Sequence, residues 1–144
     1  LGRVYGALER TDAQIDAFES ILADNPEHLP TLLDLGTTLG SVGRLEEAMA
    51  LFKRAGALEP DNELIHYNMG VTYNRMRKPE AAVNAYARAI RANPRMAAAH
   101  YNLGITYLEQ GRRKLALDEY EMLRGLDVDA AGKLFERIYP EGAP

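Results

Sequence analysis

Cysteine is absent from this 144-residue chain, so neither a disulfide nor a thiolate metal site can form. The compartment is left open by that absence, with the cytoplasm favoured. No apolar run approaches the roughly 18 residues that a membrane-spanning helix needs, and no secretory leader is visible. A soluble protein without membrane insertion is expected. The chain opens at Leu1 with no methionine and is expected to be a piece of something longer. Lys and Arg never cluster densely and the net charge is -4, so no nucleic-acid partner is expected. Also missing are a nucleophile with a nearby base, a Gly-rich phosphate loop and a His-Glu metal spacing. No catalytic residue, cofactor or metal ion is therefore expected.

What is present is enough apolar material for a core, at 47% hydrophobic and 26% charged, in a chain of one domain's length. The residues His66 to Tyr73 read His-Tyr-Asn-Met-Gly-Val-Thr-Tyr. They return 34 residues later, from His100 to Tyr107, as His-Tyr-Asn-Leu-Gly-Ile-Thr-Tyr. An internal repeat of this period is the sequence signature of a stacked helical array.

The unit 63–96 supplies the ruler. Its first apolar helix carries Met69, Gly70 and Tyr73, and a break follows at Arg77, Lys78 and Pro79. The second helix carries Ala82, Tyr86, Ala89 and Ile90, and Pro94 ends it. Pro79 suits a first helical turn, where its missing N–H is not needed. Pro94 cannot continue a helix and pushes Asn93 out of the helical region. One step upstream, in 29–62, Leu35, Gly36 and Leu39 fall in register, followed by Gly43, Ala48, Phe52, Ala55 and Pro60. One step downstream, in 97–130, come Leu103, Gly104, Tyr107, Gly111, Ala116 and Tyr120, while Leu123 and Val128 depart from the pattern. Residues 1–28 hold a partial unit, with Leu1, Gly2, Tyr5, Phe18 and Pro26 in register and Gln14 where alanine is expected.

Helices are expected at about Leu1–Leu8 and Asp12–Asp24, Leu29–Val42 and Leu45–Leu58, Glu63–Met76 and Pro79–Ala92, and Ala97–Gln110 and Arg113–Gly125. Leu134, Phe135, Ile138 and Tyr139 share one face of a closing helix over about Ala130–Tyr139, within a cap and tail of residues 131–144. The small Gly70 and Ala82 mark where two helices cross, since a larger side chain would hold them apart.

Leu-Gly-x-x-Tyr, then Ala, Phe/Tyr, Ala and Pro, on this period, resembles the tetratricopeptide repeat from Leu1 to about Ala130. The resemblance implies an all-α fold: a right-handed α-solenoid of antiparallel helix pairs, forming one domain over residues 1–144. It also implies a concave groove, lined by the first helices, that binds a peptide or helix of another protein. Mapped onto this chain, the groove positions are Leu33, Asp34, Thr37 and Ser41; Tyr67, Asn68, Val71, Asn74 and Arg75; and Tyr101, Asn102, Ile105, Leu108 and Glu109.

Asn68 and Asn102 recur in register one residue before the apolar-Gly pair. An amide both donates and accepts, so such a pair can hold an extended peptide backbone; the alternative is a tolerated helix-surface residue. Asp34 breaks that ladder. Tyr67 and Tyr101 are either aromatic anchors or packing residues. His66 and His100, on neighbouring repeats, are too far apart for one ion and are expected to pack between helices. His28 sits in a loop with no identifiable partner. A subset of the family holds acidic chaperone tails with a Lys and Asn clamp, but the matching positions here are Leu64, Asn68, Ala98 and Asn102, which argues against that role. The leading expectation is a non-catalytic adaptor. The alternatives are a scaffold that self-associates through its exposed end, and the substrate-recruiting arm of a larger enzyme.

Overall fold

In a computed structural model, described over residues 2–142 with side chains from Arg10 onward, eight helices follow one another and no strand is present among the described residues. They fall into two units, Leu1–Pro60 and Asp61–Pro144. The first holds α1 (Gly2–Asp24), α2 (Leu29–Ser41) and α3 (Leu45–Leu58). The second holds α4 (Glu63–Arg75), α5 (Pro79–Ala92), α6 (Ala97–Glu109), α7 (Arg113–Arg124) and α8 (Val128–Ile138).

The turns inside the pairs share one construction. After α2, Gly43 has φ +90° and the Arg44 N–H donates to Leu39 O at 2.9 Å. After α6, Gly111 has φ +73° and the Arg112 N–H reaches Tyr107 O at 2.8 Å. After α4 the same left-handed position is Arg77, at φ 58°, and the Lys78 N–H reaches Tyr73 O at 2.9 Å. Each is a helix end closed by one left-handed residue, which glycine adopts freely and arginine does not. Pro79, at the start of α5, enforces the break that Gly43 and Gly111 permit elsewhere.

The expected break between Leu1–Leu8 and Asp12–Asp24 does not occur, because α1 runs unbroken from Gly2 to Asp24. The reason lies in the residues: 34 before Gly43 stands Glu9, and the segment 9–12 has neither glycine nor proline. Without a left-handed residue or a missing N–H, nothing stops the helix. The matches at Gly2 and Tyr5 fall on side chains outside the described ones, and Leu1 lies outside the described residues.

The helix crossings rest on three close approaches. An added Cβ at Gly36 would lie 2.6 Å from the Phe52 ring, and at Gly70 2.5 Å from the Tyr86 ring. At Gly104 it would lie 2.6 Å from Leu134 Cδ2. The first two join the helices of one pair, as the repeat spacing requires. In the last pair the aromatic in register, Tyr120, does not take that place. Leu134 of α8 takes it, fully buried, and the Tyr120 ring packs 5.3 Å from Phe135 instead. Tyr139 continues the row 5.0 Å beyond Phe135. The second unit's core gathers around Ala82, Tyr86 and Leu103 and around Ala116, Leu123, Ala131, Leu134 and Ile138.

Side-chain caps fix the starts of α2, α4 and α8. Asn62 Oδ1 accepts from the Leu64 and Ile65 N–H groups, and Asp127 Oδ1 accepts from the Ala130 N–H at 2.9 Å. His28, expected without a partner, caps α2: its Nδ1 lies 2.8 Å from Thr31 Oγ1 and accepts from the Thr31 N–H.

Two substitutions separate packing from backbone effects. Gly70→Ala should destabilise by about 1–3 kcal/mol through overpacking against the Tyr86 ring. Arg77→Gly should stabilise by about 0.5–1 kcal/mol, because the relief of left-handed strain exceeds the entropy that glycine adds to the unfolded chain. Denaturant unfolding of both variants tests these signs, and a neutral Gly70→Ala would contradict the crossing geometry.

Candidate functional site

Each groove position falls on the first helix of a pair, and the structure sorts them into different surroundings. In the first unit, Leu33 is half-buried on α2, while Asp34 and Thr37 are exposed and Thr37 Oγ1 donates to Leu33 O. In the second unit, Tyr67 and Val71 lie against the cluster of Ala82, Tyr86 and Leu103. Tyr101, Ile105 and Leu108 lie against the terminal cluster. Arg75 and Glu109 are exposed, and Asn68 is half-buried on α4.

The amides of the repeat divide in role. Asn102 Nδ2 donates to Tyr67 Oη at 3.0 Å, tying α6 to α4, and the Tyr67 ring tilts against Tyr86 with centroids 6.0 Å apart. The residue 35 before Asn68 is Leu33, which has no hydroxyl, so this bond has no counterpart there. Asn102 Oδ1 and the Tyr101 hydroxyl make no hydrogen bond among the described residues. Asn74 turns inward: Nδ2 donates to Thr106 Oγ1 at 2.7 Å and lies 3.5 Å from Tyr86 Oη. Its Oδ1 is buried with no partner among the described residues, and its Nδ2 braces α4 against α6. Burial, with Tyr67 close by, pushes the Tyr86 phenol well above its ordinary pKa.

Tyr67, Tyr101 and Asn102 come together in one open cleft of about 530 Å³. Ala98 lies beside them, and Asp127, the cap of α8, closes the α8 side together with Asp129, Ala130 and Lys133. Sequence reasoning missed the α8 contribution because those residues lie outside the repeating period and carry no register. A smaller depression holds Asn74, Arg77, Pro79, Glu109 and Gln110.

His100 is buried, as expected of a packing residue, but it is also hydrogen-bonded at both ends. Its Nε2 faces Pro94 O at 3.0 Å, and a carbonyl only accepts, so Nε2 carries a hydrogen. Its Nδ1 lies 2.6 Å from Glu119 Oε2, so one further proton lies between ring and carboxylate. Thirty-four residues before Glu119 stands Ala85, and that replacement of a small residue by an acid is the signal in the sequence for this pair. Among the described residues, no three His, Asp or Glu side chains gather as a metal-binding group. None of the helices among the described residues is long and apolar enough to cross a membrane.

Repeated helix pairs, each closed by the same turn and carrying polar residues on the first helices, define an array of the protein-interaction class. A family model described as tetratricopeptide repeat matches residues 67–131, and a second, described as TPR repeat, matches residues 41–76. The chain belongs to the tetratricopeptide repeat family and is, at that level, a protein-interaction module. Its fold is similar to a crystal structure of MamA at TM-score 0.78 and 24% identity, over 97% of this chain and 93% of that one. A MamA structure from Desulfovibrio magneticus RS-1 matches at TM-score 0.78 and 19% identity, over 89% of this chain and 72% of that one. At these identities the likeness is one of fold. A search of the curated proteins returned no match.

The buried His100–Glu119 pair predicts a pH dependence. Burial raises the Glu119 carboxyl above its ordinary value of 4.5, opposed by the hydrogen bond from His100. A raised folded pKa gives stability that is full below the unfolded value and is lost as pH rises through the folded one. The stability of the wild type relative to Glu119→Gln should therefore fall as pH rises from about 4 through the range in which the folded carboxyl titrates. Melting curves of the two proteins across that range check the sign, and a constant difference would refute it.

Proposed function

We propose that the second unit binds an extended peptide segment of another protein along α4 and α6, as a non-catalytic adaptor. The carrying observation is the cleft of about 530 Å³ in which Tyr67, Tyr101 and Asn102 meet the first turns of α8. Tyrosine supplies broad contact area at small entropic expense and is enriched where partners dock. Asn102 is held by Tyr67 through its Nδ2, which leaves Oδ1 to accept from a ligand N–H. Asn68, one repeat earlier on α4, offers a second amide in the same register. Val71, Ile105 and Leu108 support the surface from below. Asn74 is not among the proposed contacts, and Arg75 and Glu109 are proposed as its charged rim.

The test selects binders from a random-peptide display library and titrates them by fluorescence anisotropy. Asn68→Ala together with Asn102→Ala should weaken binding by about 1–3 kcal/mol, the cost of leaving ligand N–H and C=O groups unpaired. Stability should fall by about 0.5–1.5 kcal/mol, because the bond to Tyr67 is lost. Unchanged affinity in a folded double variant would place the binding surface elsewhere.

A further inference from the structure

We propose that the cleft between α6 and α8 receives a cationic side chain, lysine or arginine, of the peptide held along α4 and α6. This rests on the peptide-binding reading above and names its chemical preference. Asp127 and Asp129 stand on the α8 side of the cleft, against one cation, Lys133. Neither Asp129 nor Lys133 is in an ion pair among the described residues, although they are one helical turn apart. The carboxylate of Asp127 is fixed in place, because its Oδ1 accepts from the Ala130 N–H at 2.9 Å.

The same bond argues against an anionic ligand. A helix N-terminus attracts anions through its unsatisfied N–H groups and its dipole. At α8 a carboxylate of the chain itself already occupies that place, and Asp129 adds a second in the first turn. The opposite wall supplies what a cation needs. Tyr67 and Tyr101 bring aromatic rings, whose faces attract ammonium and guanidinium groups. Asn102 Oδ1 and the Tyr101 hydroxyl bring oxygens that no internal hydrogen bond occupies among the described residues. Carboxylates on one side, rings and a free amide oxygen on the other, suit a donor-rich, positively charged group.

The experiment uses two probes: a seven-residue Gly/Ser peptide amide with one central arginine, and the same peptide with the uncharged isostere citrulline. Both are titrated into the ¹⁵N-labelled chain while amide resonances are followed. The arginine probe should bind about tenfold more tightly and shift the amides of Ala98, Tyr101, Asn102, Asp129 and Lys133. Asp127→Asn, which keeps a competent cap, and Asp129→Asn should each weaken the arginine probe about three- to tenfold and leave citrulline unchanged. Lys133→Gln should strengthen it, and roughly 0.5 M salt should erase most of the difference. Equal binding of both probes at these residues would overturn the cationic preference while leaving the peptide groove standing. No shifts at these residues with either probe would overturn both. Tighter binding of a matching peptide with a central glutamate would overturn the preference in favour of an anion.

Discussion

The fold depends on how closely a glycine lets one helix approach a side chain of another. At Gly36 and Gly70 the aromatic rings of Phe52 and Tyr86 lie where a Cβ would be. That contact sets the separation of the pair and buries the ring completely. Tyr86 then reaches the next repeat, joining Leu103 in one cluster. The hydrogen-bonded struts, Asn102 to Tyr67 and Asn74 to Thr106, span from α4 to α6 over a separation that this packing has already fixed. A bulkier residue at position 70 would disturb both layers of contact, the apolar one and the polar one above it.

The last pair solves the same problem with different parts. Gly104 is met by Leu134, and Tyr120 is released to stack with Phe135, while Arg124 lies over its ring. Glu119, in the register of Ala85, holds His100. A buried carboxylate and imidazole would each be unfavourable alone; together they satisfy one another, and the Pro94 carbonyl satisfies the remaining ring nitrogen.

Much of this was legible in the sequence, since a fixed period carries its own register. Six of the helices, α2 to α7, the turn glycines and a helix crossing at Gly70 follow from laying one unit over the next, although the crossing was read against Ala82 and it is Tyr86 that meets Gly70. Where the period breaks, that inference stops. Glu9, in place of a turn glycine, let α1 run through. Tyr120 matched the pattern and yet packs elsewhere, because a residue beyond the repeat competes for its place. Asn74 was read as a groove residue from its position on the helix alone. Its side chain points inward because Thr106, 32 residues on, offers an oxygen there. Distances across repeats of that kind are not encoded in a single helix's face. The acids of α8 were illegible as a site for the same reason: they acquire meaning only beside Tyr67 and Tyr101.

Because Leu134 occupies the slot over Gly104, α8 is not a lid resting on a finished array but a structural member of its final repeat. Fraying of α8 would remove the filler from a helix crossing, so α8 and the α6–α7 pair are expected to open together as one block. For the α6–α7 pair, α8 is less a cover than a keystone.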